Sequence, residues 1–228
     1  MSRINEFNQP IGREVDWTTA RTPQSREFIG QSVRLEPLRR EHATELFDAL
    51  GHAPTMWTYL PTDPPLSVSD MVAIIDSLLA PSDHLAFLVR AANGSAQGTL
   101  SYCAIQPEIG TIEVGWVAFG PTLQRTRTST EAQFLLMKHA FEDLGYRRYE
   151  WKCDSLNAAS RAAASRLGFV EEGTWRNARV IKGRNRDTTW FSITDDEWPA
   201  AESAFVAWLA DDNFDRHGQQ RSSLSSLR

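Results

Sequence analysis

The sequence predicts a single α/β domain, built from one mixed sheet with helices packed against it. Three observations support this fold class. The chain has 228 residues, 41% of them hydrophobic, which is enough for one core of ordinary size. Helical and strand patterns of hydrophobicity interleave along its middle. Turn and helix-capping residues fall between those patterns, where the chain must change direction.

Both ends of the sequence lack a regular hydrophobic pattern. Residues 1–29 are polar and contain two prolines, so an irregular N-terminal arm is expected. Residues 213–228 are rich in Ser, Gln and Arg and are expected to form a flexible C-terminal tail. The domain itself is therefore expected to extend from residue 30 to residue 212.

The first half of the domain contains two predicted helices and four predicted strands. One helix spans about Arg40–Leu50, and the next follows a cap at Ser67 or Ser69 and ends before Pro81. Both helices place apolar residues on one face. The strands are expected at Val33–Leu38, His84–Ala91, Gln97–Ile105 and Thr111–Phe119.

The second half has sharper boundaries. Its first helix follows a capping-box pattern at Thr128–Glu131 and ends at Gly145. Asn157 is placed to cap a short alanine-rich helix that closes at Gly168. A last helix carries an apolar stripe from Trp198 to Leu209. Three further strands, which bring the total to seven, are predicted at Tyr149–Cys153, Phe169–Trp175 and Asp187–Thr194.

Composition limits the possible functions. The net charge of −5 argues against a general nucleic-acid binder. Cys103 and Cys153 lie in apolar alternating runs, so both are interpreted as core residues and not as a disulfide or a metal site. No His or Cys spacing suits zinc, and no metal is expected. No apolar run approaches the roughly 18 residues of a membrane span, so a cytoplasmic protein without membrane attachment is the default expectation.

The loop after the strand Thr111–Phe119, together with the start of the next helix, is the strongest candidate binding site. A helix N-terminus presents free N–H groups and the positive end of the helix dipole. Arg125 and Arg127 add positive charge there. The arrangement suits a pyrophosphate. The alternative is that the segment only caps a helix and that both arginines are solvated.

Four segments, in their order and spacing, resemble the GNAT superfamily of N-acetyltransferases, and within it the branch of ribosomal-protein N-terminal acetyltransferases. They are Glu113–Trp116, Gln124–Ala132, Asn157–Ser160 and Arg166–Phe169. The resemblance covers about Gly30 to Leu209. It implies a mostly antiparallel sheet of about seven strands that splays in the middle to admit CoA. It further implies acetyl-CoA as cosubstrate and an amine acceptor, either a protein N-terminus or a small molecule.

The resemblance also implies a set of CoA-binding residues. In the family signature, glycine or a small residue stands where this chain has Arg127 and Ser129. Both can still offer their N–H groups if their φ angles stay negative. The implied cofactor-binding residues are Val117, Phe119, Gln124, Arg125, Thr126, Arg127, Thr128, Ser129, Asn157 and Ser160.

Glu113 is the candidate general base, as in many relatives. An alkylammonium, with a pKa near 10, cannot attack until it loses a proton, and a partly buried carboxylate can accept that proton. On an alternating strand Glu113 shares a face with Gly115 and Val117, and the Val117 amide is expected to stabilise the oxyanion. The alternatives are a solvent-facing or arginine-paired Glu113 and an ordinary strand residue at Val117.

The resemblance assigns the remaining roles. Ser160 is a candidate proton donor to the leaving thiolate, because the tyrosine that many relatives use is replaced by Ala164. Trp57 and Tyr59 lie in a proline-rich loop and either line the acceptor pocket or pack in the core. The acidic composition slightly favours a cationic acceptor, and both monomer and homodimer stay open. The competing functional hypothesis is a non-catalytic acyl-CoA-binding module of the same fold.

Overall fold

A computed structural model describes residues 3–228. The helices are α1 (Ala43–Leu50), α2 (Val68–Leu79), α3 (Arg127–Lys138), α4 (Ala158–Leu167) and α5 (Trp198–Leu209). None of the helices in this part of the chain is both long and apolar enough to cross a membrane. The strands are β1 (Arg3–Ile4), β2 (Pro10–Ile11), β3 (Phe28–Ile29), β4 (Val33–Pro37), β5 (Leu85–Ala91), β6 (Ala96–Gln106), β7 (Thr111–Phe119), β8 (Arg148–Asp154), β9 (Val170–Ile181) and β10 (Arg184–Thr194).

Eight strands form the main sheet in the order β3-β4-β5-β6-β7-β8-β10-β9, and β1 with β2 forms a separate hairpin. All neighbours in the main sheet are antiparallel except β7 and β8, which are parallel. The predicted mixed, mostly antiparallel α/β fold is confirmed. The additional strand β3 falls in the predicted irregular arm, because two residues are too few to show an alternating pattern.

The helices cover the two faces of the sheet with separate clusters of buried residues. On one face, α1 packs on β6 and α2 packs on β5, and their shared cluster includes Leu46, Ile75 and Leu88. On the other face, α3 packs on β4 and on α5, and the cluster there includes Tyr102 of the sheet and Phe205 of α5. The sheet therefore separates two layers, and successive side chains along a strand point into opposite layers.

The start of α3 differs from the predicted capping box. The N-cap is Thr126, whose hydroxyl accepts a hydrogen bond from the Ser129 amide at 3.1 Å. In return, the Ser129 hydroxyl accepts one from the Thr126 amide at 3.2 Å. The box predicted at Thr128–Glu131 is thus wrong by two residues. The sequence pattern was misleading because the Glu131 carboxylate does not bond back to the start of α3. It bonds instead to the amides of Gln31 and Ser32.

Glu131 is buried and holds the turn between β3 and β4. Its carboxylate accepts hydrogen bonds from the Gln31 amide at 2.6 Å and from the Ser32 amide at 2.7 Å. The Ser32 hydroxyl donates a third, at 2.6 Å. Gly30 makes room for this contact, because a Cβ there would lie 2.5 Å from the Glu131 Oε1. The first turn of α3 is therefore fixed to the sheet by a side chain.

Replacing this carboxylate should destabilise the fold. In Glu131→Ala the two amides of the turn lose charge-assisted partners, and we expect the free energy of unfolding to fall by roughly 2 kcal/mol. Urea unfolding followed by tryptophan fluorescence measures the change. Glu27→Ala is the matched control, because Glu27 is an exposed glutamate that lies just before the β3–β4 turn in the sequence. A loss no larger than in the control would show that Glu131 does not hold the turn.

The segment 213–228, for which the sequence predicts flexibility, lies against the domain. Leu224 is 1% exposed and belongs to the core cluster below α3 and α5. The Asn213 amide group donates to the main chain at Trp208 and Ser222. The Arg228 guanidinium donates to the Ser165 carbonyl at 3.1 Å. These contacts join the end of the chain to α4 and α5.

Candidate active site

The central strands of the sheet separate along part of their length. β7 pairs with β8 only where 111–114 face 148–151. Beyond that point β7 stays with β6 as far as Phe119, and β8 stays with β10 as far as Asp154. Within residues 3–228, the edge of β7 that faces β8 therefore has no strand partner from Gly115 onward. A sheet edge of this kind offers main-chain donors and acceptors to an extended ligand.

A β-bulge lies in β7 beside this opening. Trp116 and Val117 both stand opposite Leu100 of β6, and Trp116 adopts a left-handed backbone conformation with φ of +49°. An extra residue of this kind bends the strand and increases its twist. The bulge therefore coincides with the point at which β7 leaves β8.

The bulge also changes which residues share a face. Trp116 and Ala118 pack with the α1/α2 layer, whereas Val117 packs against the core on the α3 side. Glu113 is paired with Cys103 on the α1/α2 side, opposite the face of the buried Val114. The prediction that Glu113 and Val117 share a face is therefore wrong, because it assumed unbroken alternation.

The N-terminus of α3 lies at the end of the same strand. Within the described residues 3–228, the amides of Arg125, Arg127 and Thr128 have no hydrogen-bond acceptor. Arg125 has a φ of +62°, while Arg127 and Ser129 keep φ outside the left-handed region. The absence of glycine at positions 127 and 129 therefore does not block these N–H groups. The turn keeps the free donors and the helix dipole that suit an anion.

The two arginines of this turn have different surroundings. The Arg127 guanidinium donates to Gln31 Oε1 at 2.9 Å and to Asp211 Oδ1 at 2.8 Å, and it lies 4.9 Å from the centre of the Phe214 ring. It is therefore directed toward the end of α5. Arg125 is exposed and forms no ion pair with any residue from 3 to 228. Only Arg125 is available to a ligand at the turn.

Glu113 forms an ion pair that the sequence did not indicate. Its Oε2 lies 2.6 Å from the Nζ of Lys152, and that Nζ lies 4.0 Å from the centre of the Trp190 ring. Burial raises the pKa of Glu113 above its usual value, and Lys152 partly opposes that effect. Lys152 was missed because its proximity depends on the parallel pairing of β7 with β8, which no local pattern reveals.

The start of α4 lies on the β8 side of the opening. Asn157 Oδ1 accepts a hydrogen bond from the Ser160 amide at 3.1 Å, which confirms the predicted N-cap. The Ser160 Oγ accepts one from Trp151 Nε1 at 3.0 Å. The Ser160 hydroxyl can also donate a hydrogen bond, and it lies close to the Cys153 thiol.

The proline-rich loop crosses toward the β9–β10 hairpin. The Trp57 ring is 1% exposed and its Nε1 donates to the Leu50 carbonyl at 3.2 Å, so the ring belongs to the core. The Trp57 carbonyl accepts a hydrogen bond from Lys182 Nζ at 2.7 Å. The Tyr59 hydroxyl donates to the Leu156 carbonyl at 3.1 Å. Of the two aromatic residues predicted to line the acceptor pocket or to pack in the core, Trp57 lies in the core and Tyr59 contacts the segment just before α4.

Cys103 and Cys153 are free and buried, as predicted. Burial raises the pKa of both thiols above the usual value. A thiol that stays protonated is a poor nucleophile. Neither cysteine is therefore a candidate nucleophile.

The split sheet, the bulge and the free helix N-terminus are the arrangement expected of the acyl-CoA-dependent acyltransferase class, and comparison with known proteins agrees. Residues 32–170 match the family model of the acetyltransferase (GNAT) domain. Because that match covers more than half of the chain, the protein belongs to the GNAT acetyltransferase family.

Several solved and curated relatives are similar to this chain. A GCN5-related N-acetyltransferase from Brucella melitensis has 43% identity and a TM-score of 0.90, over 93% of this chain and 98% of that one. A GNAT-family protein from Chromobacterium violaceum ATCC 12472 has 42% identity and a TM-score of 0.79, over 84% of this chain and 100% of that one. The "Putative ribosomal N-acetyltransferase YdaF" of Bacillus subtilis (strain 168) is 30% identical over 107 residues, 46% of this chain. That match spans 57% of the relative's length.

Proposed function

We propose that this enzyme transfers the acetyl group of acetyl-CoA to a primary amine by direct attack of the amine on the thioester. The observation that carries the proposal is the opening between β7 and β8. The half-buried Glu113 lies on β7 just before the opening, and the free amides at the start of α3 follow the end of the same strand. Binding and proton transfer are thereby joined in a single cleft.

The hydrogen-bond donors around the opening support CoA as the cosubstrate. The diphosphate is held by the amides of Arg125, Arg127 and Thr128 and by the Arg125 side chain. The pantetheine arm lies along the unpaired edge of β7, from Val117 to Phe119, and the Asn157 amide group contacts it from the β8 side. Gln124 shapes the turn by donating from its side chain to the Phe119 carbonyl at 2.8 Å.

The chemistry follows from the groups at the opening. Glu113 takes a proton from the acceptor ammonium, and the amine nitrogen then forms a bond to the thioester carbonyl carbon. The Val117 amide stabilises the negative charge on the carbonyl oxygen. When the intermediate collapses, the carbon–sulfur bond breaks. The remaining extra proton of the former amine nitrogen passes to the thiolate through Ser160 or water, and the relaying group is left as it was. Proximity in the cleft supplies much of the acceleration, so no covalent enzyme intermediate is needed.

A protein N-terminus is the acceptor that we favour. The name of the Bacillus relative supports a ribosomal protein as the source of that N-terminus. The proline-rich loop also supports a peptide, because Tyr59 and the Trp57 carbonyl are both anchored to elements that border the opening.

Two measurements test the proposal and separate it from a non-catalytic module. Calorimetric titration with acetyl-CoA establishes binding, and CoA thiol release with a panel of N-terminal peptides, polyamines and amino acids establishes turnover. Binding with turnover of at least one amine is expected. Binding without turnover across the panel would favour the non-catalytic module, and absence of binding would contradict both.

The Arg125 side chain should contribute to affinity. Arg125→Ala removes one exposed cation at the helix N-terminus, and we expect the Kd for acetyl-CoA to rise about fivefold to tenfold. Titration at several salt concentrations should show a weaker salt dependence in the variant. Arg221→Ala, which removes an exposed arginine on the C-terminal segment, is the control. Equal affinities of the two variants would show that the phosphates do not contact Arg125.

A further inference from the structure

Two arginines face each other on the hairpin beside the proposed acceptor site. Arg186 of β10 is the direct antiparallel partner of Arg179 of β9. Like charges at directly opposite positions of an antiparallel pair destabilise the pair. The hairpin therefore has a concentration of positive charge at this position that its own folding does not require.

Arg186 is held away from water without a compensating carboxylate. It is half-buried, and its Nε has no hydrogen-bond partner anywhere in residues 3–228. In that same part of the chain, neither Arg186 nor Arg179 has an acidic oxygen within ion-pair distance. Burial lowers the pKa of Arg186, and Asp154 and Glu113 partly offset that effect from a distance. An arginine stays protonated regardless, so the guanidinium keeps its charge and an unfilled donor.

This arginine pair lies on the same face of the sheet as Glu113. Arg186, Thr188 and Trp190 are two residues apart along β10. The register shift between Arg186 and Thr188 places its extra residues on β9, so the three side chains of β10 share one side. The Lys152 Nζ is stacked on the Trp190 ring of that side and is bound to Glu113. Residues directly opposite in an antiparallel pair share a face, so the Arg179 side chain lies there as well.

We propose that the Arg179–Arg186 pair binds a carboxylate of the acceptor, so that this enzyme prefers amines carrying an acidic group close to the amine. The inference rests on the proposed function and narrows its substrate class. The planar guanidinium groups offer paired donors that match a carboxylate, and such a ligand would fill the unpartnered Nε. The overall charge of −5, which favours a cationic acceptor, does not describe this local surface.

The spacing indicates where the acidic group lies. Arg186 is four residues along β10 from Trp190, which is opposite Lys152. Four residues of strand span roughly 13 Å, and the long arginine side chains cover part of that distance toward Glu113. Two residues of an extended peptide cover roughly 7 Å. An acidic side chain at the second or third position of a peptide therefore reaches the pair while its terminal amine faces Glu113.

Binding of two matched peptides tests the proposal without turnover. The C-terminally amidated tetrapeptides Ser-Asp-Asp-Ala and Ser-Asn-Asn-Ala are titrated calorimetrically into the protein saturated with CoA, which carries no acetyl group to transfer. We expect the acidic peptide to bind at least tenfold more tightly. In Arg179→Gln and Arg186→Gln that ratio should fall to about threefold or less. Arg176→Gln, an exposed position on the same strand, should keep the full ratio.

Several outcomes would overturn the inference. They are equal affinity of the two peptides for the wild-type protein, failure of both to bind, and a preference that persists in Arg179→Gln and Arg186→Gln. Since Arg179 is exposed, its variant stays informative if Arg186→Gln is unstable. A preference for the acidic peptide without acetyl transfer would support the arginine site and contradict the proposed function. Acetyl transfer without that preference would support the proposed function and contradict the arginine site.

Discussion

Glu113→Gln is expected to lower kcat by about two to four orders of magnitude at neutral pH, because general-base catalysis contributes an acceleration of that size. Glutamine preserves the shape of the side chain and can still accept a hydrogen bond from Lys152, but it cannot accept a proton from an acceptor ammonium. The Kd for acetyl-CoA should stay within about twofold of wild type, since the proposed phosphate donors lie at the far end of β7 and at α3. The loss should therefore appear in turnover.

The same experiment has a close control. Glu150 lies on β8, 3.8 Å from the Lys152 Nζ, and accepts a hydrogen bond from Arg148. Glu150→Gln changes the charge around Lys152 as Glu113→Gln does, but it leaves the proposed base intact. Thiol release with saturating amine and calorimetric titration with acetyl-CoA are measured for both variants. Unchanged turnover in Glu113→Gln would remove Glu113 from the mechanism.

The elements that periodicity predicted well are those with one buried and one exposed face. β7 has the predicted bounds, and α5 carries its apolar stripe over the predicted residues. The cap at Asn157 was also predictable, because an N-cap depends on residues only three apart in sequence. By contrast, β9 extends from Val170 to Ile181, six residues beyond its predicted end. It is an edge strand with little burial on either face, so it has no hydrophobic alternation to detect.

The parts of the site that sequence did not predict depend on pairing between distant segments. The bulge at Trp116 reverses the alternation of β7, and only the register with β6 reveals it. The ion pair of Glu113 with Lys152 depends on the parallel pairing of β7 with β8. Similarly, Arg127 is directed to the end of α5 by partners 80 or more residues away. Sequence indicated which residues are chemically competent, and tertiary pairing decides their roles.

The ion pair between Glu113 and Lys152 affects the ionisation of the proposed base. A buried carboxylate without a neighbouring cation stays protonated to a higher pH and is then unable to act as a base. In the proposed mechanism, Lys152 lowers the pKa of Glu113 while burial raises it, so the two effects together set the pH range in which the carboxylate can accept a proton. The Trp190 ring holds the ammonium through a cation–π contact, so the position of Lys152 is fixed from two sides.

Lys152→Met should accordingly move the acid limb of the pH profile to higher pH. Only ionised Glu113 accepts a proton, so kcat falls as pH drops through its raised pKa. Removing the cation that lowers this pKa should shift the limb upward by about one to three pH units, with activity recovering at higher pH. The measurement is kcat against pH, with Lys138→Met, which loses a surface ion pair with Glu142, as the control. An acid limb at the wild-type position would show that Lys152 does not set the ionisation of the base, and a loss of activity equal at every pH would assign it a structural role instead.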